Sequence, residues 1–393
     1  MSNTEIVIAA AKRTPLGAFQ GVLAPMTAPQ LGACALKGAI EAAGIDPGEA
    51  DEVILGCVLP AGLGQAPARQ AAIAAGVPIA VPATTINKMC GSGLKAVMMA
   101  ADQIRAGNAK IVLAGGIESM TQAPYLLPKA RSGYRMGHGE VLDHMFLDGL
   151  QSPFDGKLMG CFADATAARY GFTREQQDTF AAESVRRALA AQDGAFAAEI
   201  AAVTVKSRKG ETLIERDETP GTCDLKKIPT LRPAFAKDGT VTAASASSIA
   251  DGAAALVVMS AQAAQARNVK PLARIVAYAS HAQEPEWFTT APVAAVRKVL
   301  AALGWRADEV DLYEINEAFA AVTMAAMHDL KLDRSRVNVN GGACALGHPL
   351  GATGARILTT LVHALRARGG KRGIAALCIG GGEAVAVAVE TVG

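Results

Sequence analysis

Aromatic residues are nearly missing from this chain: two Trp, five Tyr and ten Phe, 4% of 393 residues. Its cores must therefore be built from Ala, Val, Leu and Ile, which a hydrophobic content of 51% supplies. A dominant charge is missing too. The net charge is +2, and no basic stretch is interleaved with aromatics, which argues against nucleic acid as the main partner. No segment reaches the roughly 18 uninterrupted apolar residues of a membrane span. The most apolar late stretch, Gly373 to Val389, is broken by Gly380 to Glu383. No CxxC pair occurs. Seven cysteines, an odd number, stand far apart at 34, 57, 90, 161, 223, 344 and 378, so neither a metal site nor a disulfide framework is suggested. No GxGxxG follows the first strand and no GxxxxGK[ST] is present, which sets dinucleotide and P-loop readings aside. The start reads at once as a strand (Ile6-Val7-Ile8), unlike a secretory or transit peptide, and the last residues form no peroxisomal address. A cytoplasmic protein off the membrane is expected.

What is present centres on Asn87-Lys88-Met89-Cys90-Gly91-Ser92-Gly93-Leu94-Lys95. A β-branched run, Ala83 to Ile86, precedes it. A helix is expected from about Leu94 to Arg105, where Ala96, Val97, Ala100, Ala101 and Ile104 recur at helical spacing. Cys90 is thus set at a strand-to-helix junction beside two glycines. The free N–H groups and positive end of a helix favour an anion there, so a lowered thiol pKa and nucleophilic character are expected. A lone buried cysteine is more often an inert core residue, so the reading depends on what accompanies it.

Taken in order, the chain alternates strands and helices, which implies an α/β architecture with parallel pairing. Glu5 to Ala11 reads as a strand, Gln30 to Ala43 as a helix closed by Gly44, and Asp51 to Leu59 as a strand. Gln65 to Ala75 reads as a helix, and Lys110 to Ala114 as a strand ending in Gly115-Gly116-Ile117-Glu118. From Ser119 to about Ala250 the texture becomes loop-rich, with helical runs resuming near Thr173, and loops of that length are usually functional. The last third repeats the first. Ala307-Asp308-Glu309-Val310 matches Ala50-Asp51-Glu52-Val53 at an offset of 308 − 51 = 257. Cys90 is matched in place by His348, at 348 − 90 = 258, in the glycine-rich turn before a helix from about Thr353 to Arg368. The strand Ile374 to Cys378 then leads into Gly380-Gly381-Gly382-Glu383. This order argues for two copies of one α/β unit: residues 1–118, completed by about 250–270, an inserted loop domain at 119–249, and a second half at 271–393. Packed as pseudo-twofold partners, the copies would bring Cys90 and His348 to one cleft.

His348, Cys378 and Asn316 join Cys90 as candidates. Each has an ordinary structural reading: a lone histidine in a turn, a core thiol ending a strand, and an N-cap for the helix after Asp311 to Ile315. Together they supply a nucleophilic thiol, a histidine to take its proton, a second thiol as acid or base, and donors for a developing negative oxygen.

The residues resemble the thiolase family, in particular its acetyl-CoA C-acetyltransferases, over the whole chain. Arg13 to Phe19 is similar to the family's N-terminal signature. Asn87 to Lys95 is similar to its nucleophile motif, and Asn316-Glu317-Ala318-Phe319 to its NEAF motif. Asn338 to Gly354 matches its GGxxxxGHPxGxTG segment, and Cys378 to Gly382 its CxGGG segment. The resemblance implies the thiolase fold, two α/β halves packed as a layered αβαβα core with an inserted loop domain for coenzyme A binding and oligomerisation. It implies acetyl-CoA and acetoacetyl-CoA as substrates, no separate cofactor, and a homotetramer. By motif, Cys90 would be acetylated and His348 would activate it. Cys378 would remove the α-proton of a second acetyl-CoA. His348 and Asn316 (through a water) would hold the enolate oxygen, and the N–H groups of Cys90 and Gly380 the tetrahedral oxyanion. The substrate would lie against Ser247, Ala318, Phe319, Met159, Phe235, Leu158 and Phe288. Leu158 stands where many relatives carry His, Phe288 where Met is common, and Lys227 where a serine is expected near the adenine. The implied reaction is a reversible, ping-pong Claisen condensation; thiolysis of longer 3-ketoacyl-CoA is the alternative in the same fold.

Overall fold

The long strands are apolar on both faces, so each face needs a cover. In the computed structural model, which describes residues 4–208 and 210–392, helices supply that cover in three layers. The strands of the main sheet are β1 (Ile6–Arg13), β2 (Glu52–Gly56), β3 (Ala83–Ile86), β4 (Ile111–Ser119), β5 (Ala250–Ser260), β6 (Ala273–Ala282), β7 (Leu312–Ile315), β8 (Arg372–Ile379) and β9 (Glu383–Thr391). They lie in the order β7-β8-β9-β6-β1-β5-β4-β2-β3, with Gly17–Ala18 pairing onto β5. The longer helices are α1 (Ala28–Ala43), α2 (Pro67–Ala74), α3 (Ser92–Arg105), α4 (Met159–Tyr170), α5 (Arg174–Gln192), α6 (Ala291–Leu303), α7 (Ala320–Leu330) and α8 (Leu350–Arg368).

Strand periodicity sorts the layers. Val7, Leu55, Leu113 and Val257 pack outward on α1 and α2. Their sequence neighbours Ile6, Ile54, Val112 and Leu256 pack inward on α3 and α8. Those two helices also receive Leu377, Val385 and Val387 from the far side, while Ile374, Ala376, Ala386 and Ala388 face α6 and α7. The result is an αβαβα stack whose central helices are shared by both halves.

The halves have the same topology. β1-β5-β4-β2-β3 in the first corresponds to β6-β9-β8-β7 in the second, completed by a parallel bridge from Tyr313 to Val337. The counterpart of Asp51 is Asp311, not the Asp308 of the sequence match: Asp308 lies in the short helix Ala307–Glu309, which answers to Pro47–Glu49 ahead of Asp51, so the repeat slips by three residues here. Asp51 Oδ2 accepts the N–H groups of Lys110 and Ile111 at 2.6 and 2.9 Å, and Asp311 Oδ2 those of Lys371 and Arg372 at 2.8 Å each.

Expected parallel pairing holds only for β3-β2-β4 and β7-β8; the other pairs are antiparallel. The reason is connection without a crossover helix. β9 returns from β8 through Gly380–Gly382, where Gly381 and Gly382 take φ of 93° and 91°, a region glycine enters readily. At the equivalent place in the first half, the chain between β4 and β5 instead carries residues 120–249, with α4 and α5. The α4 helix escapes sequence reading because it opens on Met-Gly-Cys without a side-chain cap. Arg13, at the end of β1, ties this segment down. Its buried guanidinium bonds Asp217 at 2.7 and 2.9 Å and Glu199 at 2.5 Å, and Thr360 of α8 also bonds Glu199.

β4 continues to Ser119 rather than ending at Gly115, because its glycines accommodate neighbours instead of turning. A Cβ on Gly116 would lie 1.9 Å from Gly351 O at the start of α8. Likewise α3 and α8 cross at Gly93 and Gly354, where an added Cβ would meet Ala355 N at 2.8 Å and Leu94 N at 2.4 Å. Backbone cannot give way as a side chain can, so Gly354→Ala is expected to destabilise by about 2–3 kcal/mol, the upper part of the overpacking range. A melting temperature equal to that of the parent would show slack at the crossing. Among the described residues no helix is long and apolar enough to cross a membrane.

Candidate active site

The tight crossing of α3 and α8 sets the first turns of both central helices side by side, and each is preceded by a reactive side chain. On the first-half side, Asn87 Oδ1 accepts the Met89 N–H at 2.8 Å, and Met89 is left-handed at φ 47°. Ser92 accepts the Lys88 N–H at 2.8 Å and donates to Met89 O at 2.6 Å. This closes a sharp turn with partly exposed Cys90 at its end. Gly91 lets Ile379 pack against the turn, since a Cβ would sit 2.4 Å from Ile379 Cδ1 and displace that side chain. Lys88 Nζ bonds Glu383 at 2.6 Å, fastening the turn to the β8–β9 hairpin.

On the second-half side, Gly347 at φ 95° leads into His348, which is 5% exposed. The His348 N–H bonds Ser248 O at 2.9 Å. Its Nδ1 lies 2.6 Å from Thr353 Oγ1, and its Nε2 lies 3.4 Å from Asn316 Nδ2. The ordinary reading of Asn316 as an N-cap falls away: α7 begins only at Ala320, held by its N–H on Ser245 O at 2.7 Å. Asn316 instead turns a fully buried amide toward His348, and its Oδ1 has no protein partner. Cys378 is wholly buried near the end of β8, close enough to Cys90 that a charge on Cys90 disfavours the Cys378 thiolate. The Gly380 N–H reaches the Cys90 sulfur.

Around Cys378 gather Phe288, Ala318, Phe319, Met159 and Phe235 in one apolar cluster. Ser247 adjoins it, its N–H on Ala318 O at 2.9 Å. Leu158 stands outside that cluster, in the N-cap position of α4. A cavity of about 230 Å³ opens beside Gly380, lined by Met89, Met159, Leu147, Pro153 and Phe154. Leu147, Pro153 and Phe154 were not among the expected site residues, because the sequence offers no periodic signal in that loop.

The expected lowering of the Cys90 pKa is reversed. Burial pushes the thiol up to about 11, against the pull of the Gly380 N–H and its own N–H. Burial, and then the Arg356 guanidinium, push His348 down to about 3. Burial also raises Cys378 well above the usual thiol range. The resting site therefore holds two thiols and a neutral imidazole, and proton transfer has to accompany attack. Since the thiolate is the reactive form, alkylation of Cys90 by iodoacetamide should keep rising with pH from 6 to about 10. A plateau near pH 7 would indicate a preformed thiolate instead.

Residues 6–262 match the family model described as thiolase, N-terminal domain, and residues 269–391 the one described as thiolase, C-terminal domain. A Pseudomonas aeruginosa protein named acetyl-CoA acetyltransferase is 51% identical over 387 residues, with 98% of each chain covered. The Escherichia coli protein of the same name is also 51% identical over 387 residues, with 98% of each chain covered. The crystal structure of the Bacillus anthracis acetyl-CoA acetyltransferase superposes with a TM-score of 0.97 at 43% identity, covering 100% of both chains.

Proposed function

This chain belongs to the thiolase family, and from that premise we propose that it condenses two acetyl-CoA into acetoacetyl-CoA and coenzyme A, and runs the reverse thiolysis. What supports the reading is two pairs, Cys90 with the Gly380 N–H and His348 with Asn316, each suited to a different oxygen, with Cys378 beside Cys90. Cys90 attacks the thioester as His348 Nε2 takes its proton. The Cys90 and Gly380 N–H groups face the tetrahedral oxyanion. Coenzyme A leaves with a proton from Cys378, whose thiolate then removes the α-proton of the second acetyl-CoA. His348 and Asn316 hold the enolate oxygen as charge develops on it, where preorganised donors lower the barrier most. The enolate carbon attacks acetyl-Cys90, and the proton on His348 returns to the released sulfur.

Ser247 and the apolar cluster are read as the pantetheine and acyl contacts. Phe162 and Phe288, edge to face with centroids 5.9 Å apart, fill the acyl end and favour acetyl over long chains. Leu158 offers no hydrogen bond to a 3-keto oxygen. Equal thiolysis rates from C4 to C10 substrates would sink the short-chain assignment. Coenzyme A thioesters are the only small molecules this scheme uses. The chain is read as a cytoplasmic homotetramer: among the described residues β3 ends the sheet, and the loop-rich segment after β4 exposes Tyr125, Leu127, Met136 and Val141. The test of the central reading is intact-protein mass after brief mixing with acetyl-CoA, followed by peptide mapping. One acetyl group on Cys90 is expected. No adduct, or an adduct on Cys378, overturns the assignment of the two thiols.

A further inference from the structure

In the scheme above His348 works at Nε2 twice, first bare to take a proton and then protonated to hold an oxygen. A neutral imidazole has one donor and one acceptor nitrogen, and the partner of Nδ1 decides which is which. That partner is Thr353 Oγ1, 2.6 Å away and completely buried. The same oxygen lies 2.9 Å from Pro349 O, one helical turn back. Threonine has a single hydroxyl proton, and a carbonyl can only accept. With that proton committed to Pro349 O, Thr353 presents only a lone pair to His348, so Nδ1 carries a hydrogen and Nε2 is bare. The Asn316 Nδ2 donor, 3.4 Å from Nε2, fits this tautomer.

We propose that Thr353 is the positioning residue of His348: anchored on Pro349 O, its hydroxyl oxygen accepts from Nδ1–H and keeps Nε2 aimed at the thiols, whether bare or carrying the proton of Cys90. This rests on the acyl-transfer reading and deepens it. The proton balance closes. The Cys90 S–H proton moves to Nε2 as the sulfur–acetyl bond forms and the bond to coenzyme A sulfur breaks. The departing sulfur takes the Cys378 proton, leaving an imidazolium and a Cys378 thiolate. That thiolate takes the α-proton, the imidazolium faces the enolate, and after carbon–carbon bond formation Nε2 returns its proton to Cys90. Nδ1–H stays on Thr353 throughout, the place a carboxylate occupies in Asp–His pairs, here filled by a neutral acceptor.

The experiment compares Thr353→Val, which keeps the shape and removes the hydroxyl, with Thr353→Ser, which keeps the hydroxyl. Without its acceptor a buried Nδ1–H is penalised, so the ring shifts its hydrogen to Nε2 and Cys90 loses its base. Alkylation of Cys90 by iodoacetamide at pH 7 and kcat should each fall about 100-fold in Thr353→Val, the size of a general-base contribution, with KM nearly unchanged. Thr353→Ser should stay within about threefold of the parent. Thr353→Val within about twofold of the parent, or Thr353→Ser no faster than Thr353→Val, overturns the proposal. Should Thr353→Val fail to fold, ring nitrogen shifts of the parent protein labelled with 15N-histidine decide it. A protonated Nδ1 with a bare Nε2 supports it, and the reverse overturns it. Iodoacetamide makes no demand on the acyl substrate, so failure of the acetyl-CoA reading and failure of the Thr353 role give different results.

Discussion

Cys90→Ala should abolish acetyl transfer, with turnover falling about 10⁴- to 10⁶-fold, as for removal of a nucleophile that works as a unit with its base. Cys90 lies on the turn before α3, and the turn is held by Asn87, Ser92 and Lys88 rather than by the thiol. The melting temperature should therefore move by only a few degrees, and the loss would be one of chemistry. The neighbouring Cys378 does not substitute, because it is wholly buried and burial raises its pKa well above the usual thiol range. Thiolysis of acetoacetyl-CoA, followed as substrate consumed in the presence of coenzyme A, is the measurement. Activity within tenfold of the parent would remove Cys90 from the reaction.

Cys378→Ala should divide the reaction. The first half needs Cys90, His348 and the N–H groups of Cys90 and Gly380, all still present, and coenzyme A is a tolerable leaving group even as its thiolate. A single acetyl group should still appear on Cys90 in a brief mixing experiment. The second half needs a base for a weakly acidic α-proton, and the residues clustered around Cys378, among them Phe288, Ala318 and Phe319, are apolar. Condensation should drop about 10³- to 10⁴-fold, the upper range for general acid–base catalysis, and acetyl-enzyme should accumulate. Equal loss of both halves, or unimpaired condensation, would reassign the α-proton to another group.

Much of this arrangement is readable in the chain, because a duplicated unit leaves its order and offset behind. The matched positions of Cys90 and His348, each just before a central helix, predict a shared cleft without any side-chain information. What eludes the sequence is set by contacts between distant segments. Gly115 and Gly116 read as the end of a strand, yet they thin β4 so that β5 and α8 can approach. Asn316 can be read as a cap or as a donor in the site, and only Ser245, which holds the start of α7 and frees the amide for His348, decides between them. The Cys90 thiol reads as acidic by its place before a helix, whereas desolvation by residues from both halves dominates. Each failure is a tertiary effect overriding a local rule.

The placement of β5 between β1 and β4 also dictates how the molecule can be assembled during synthesis. The first half-sheet has a gap at its middle until residues 250–260 emerge. At 5–20 residues per second that is roughly 12 to 50 s after the first strand is made. Through that interval β1 and β4 each wait with an unpaired apolar edge, and the pairing that closes the gap spans more than half of the chain. High contact order slows such a closure. Helices α1 and α3, both complete within the first 105 residues, are available early to shield Val7, Leu113 and Val112. The expansion of the first half, which furnishes one wall of the cleft, thus makes the nascent chain reliant on its own helices, or on chaperones, until the missing strand arrives.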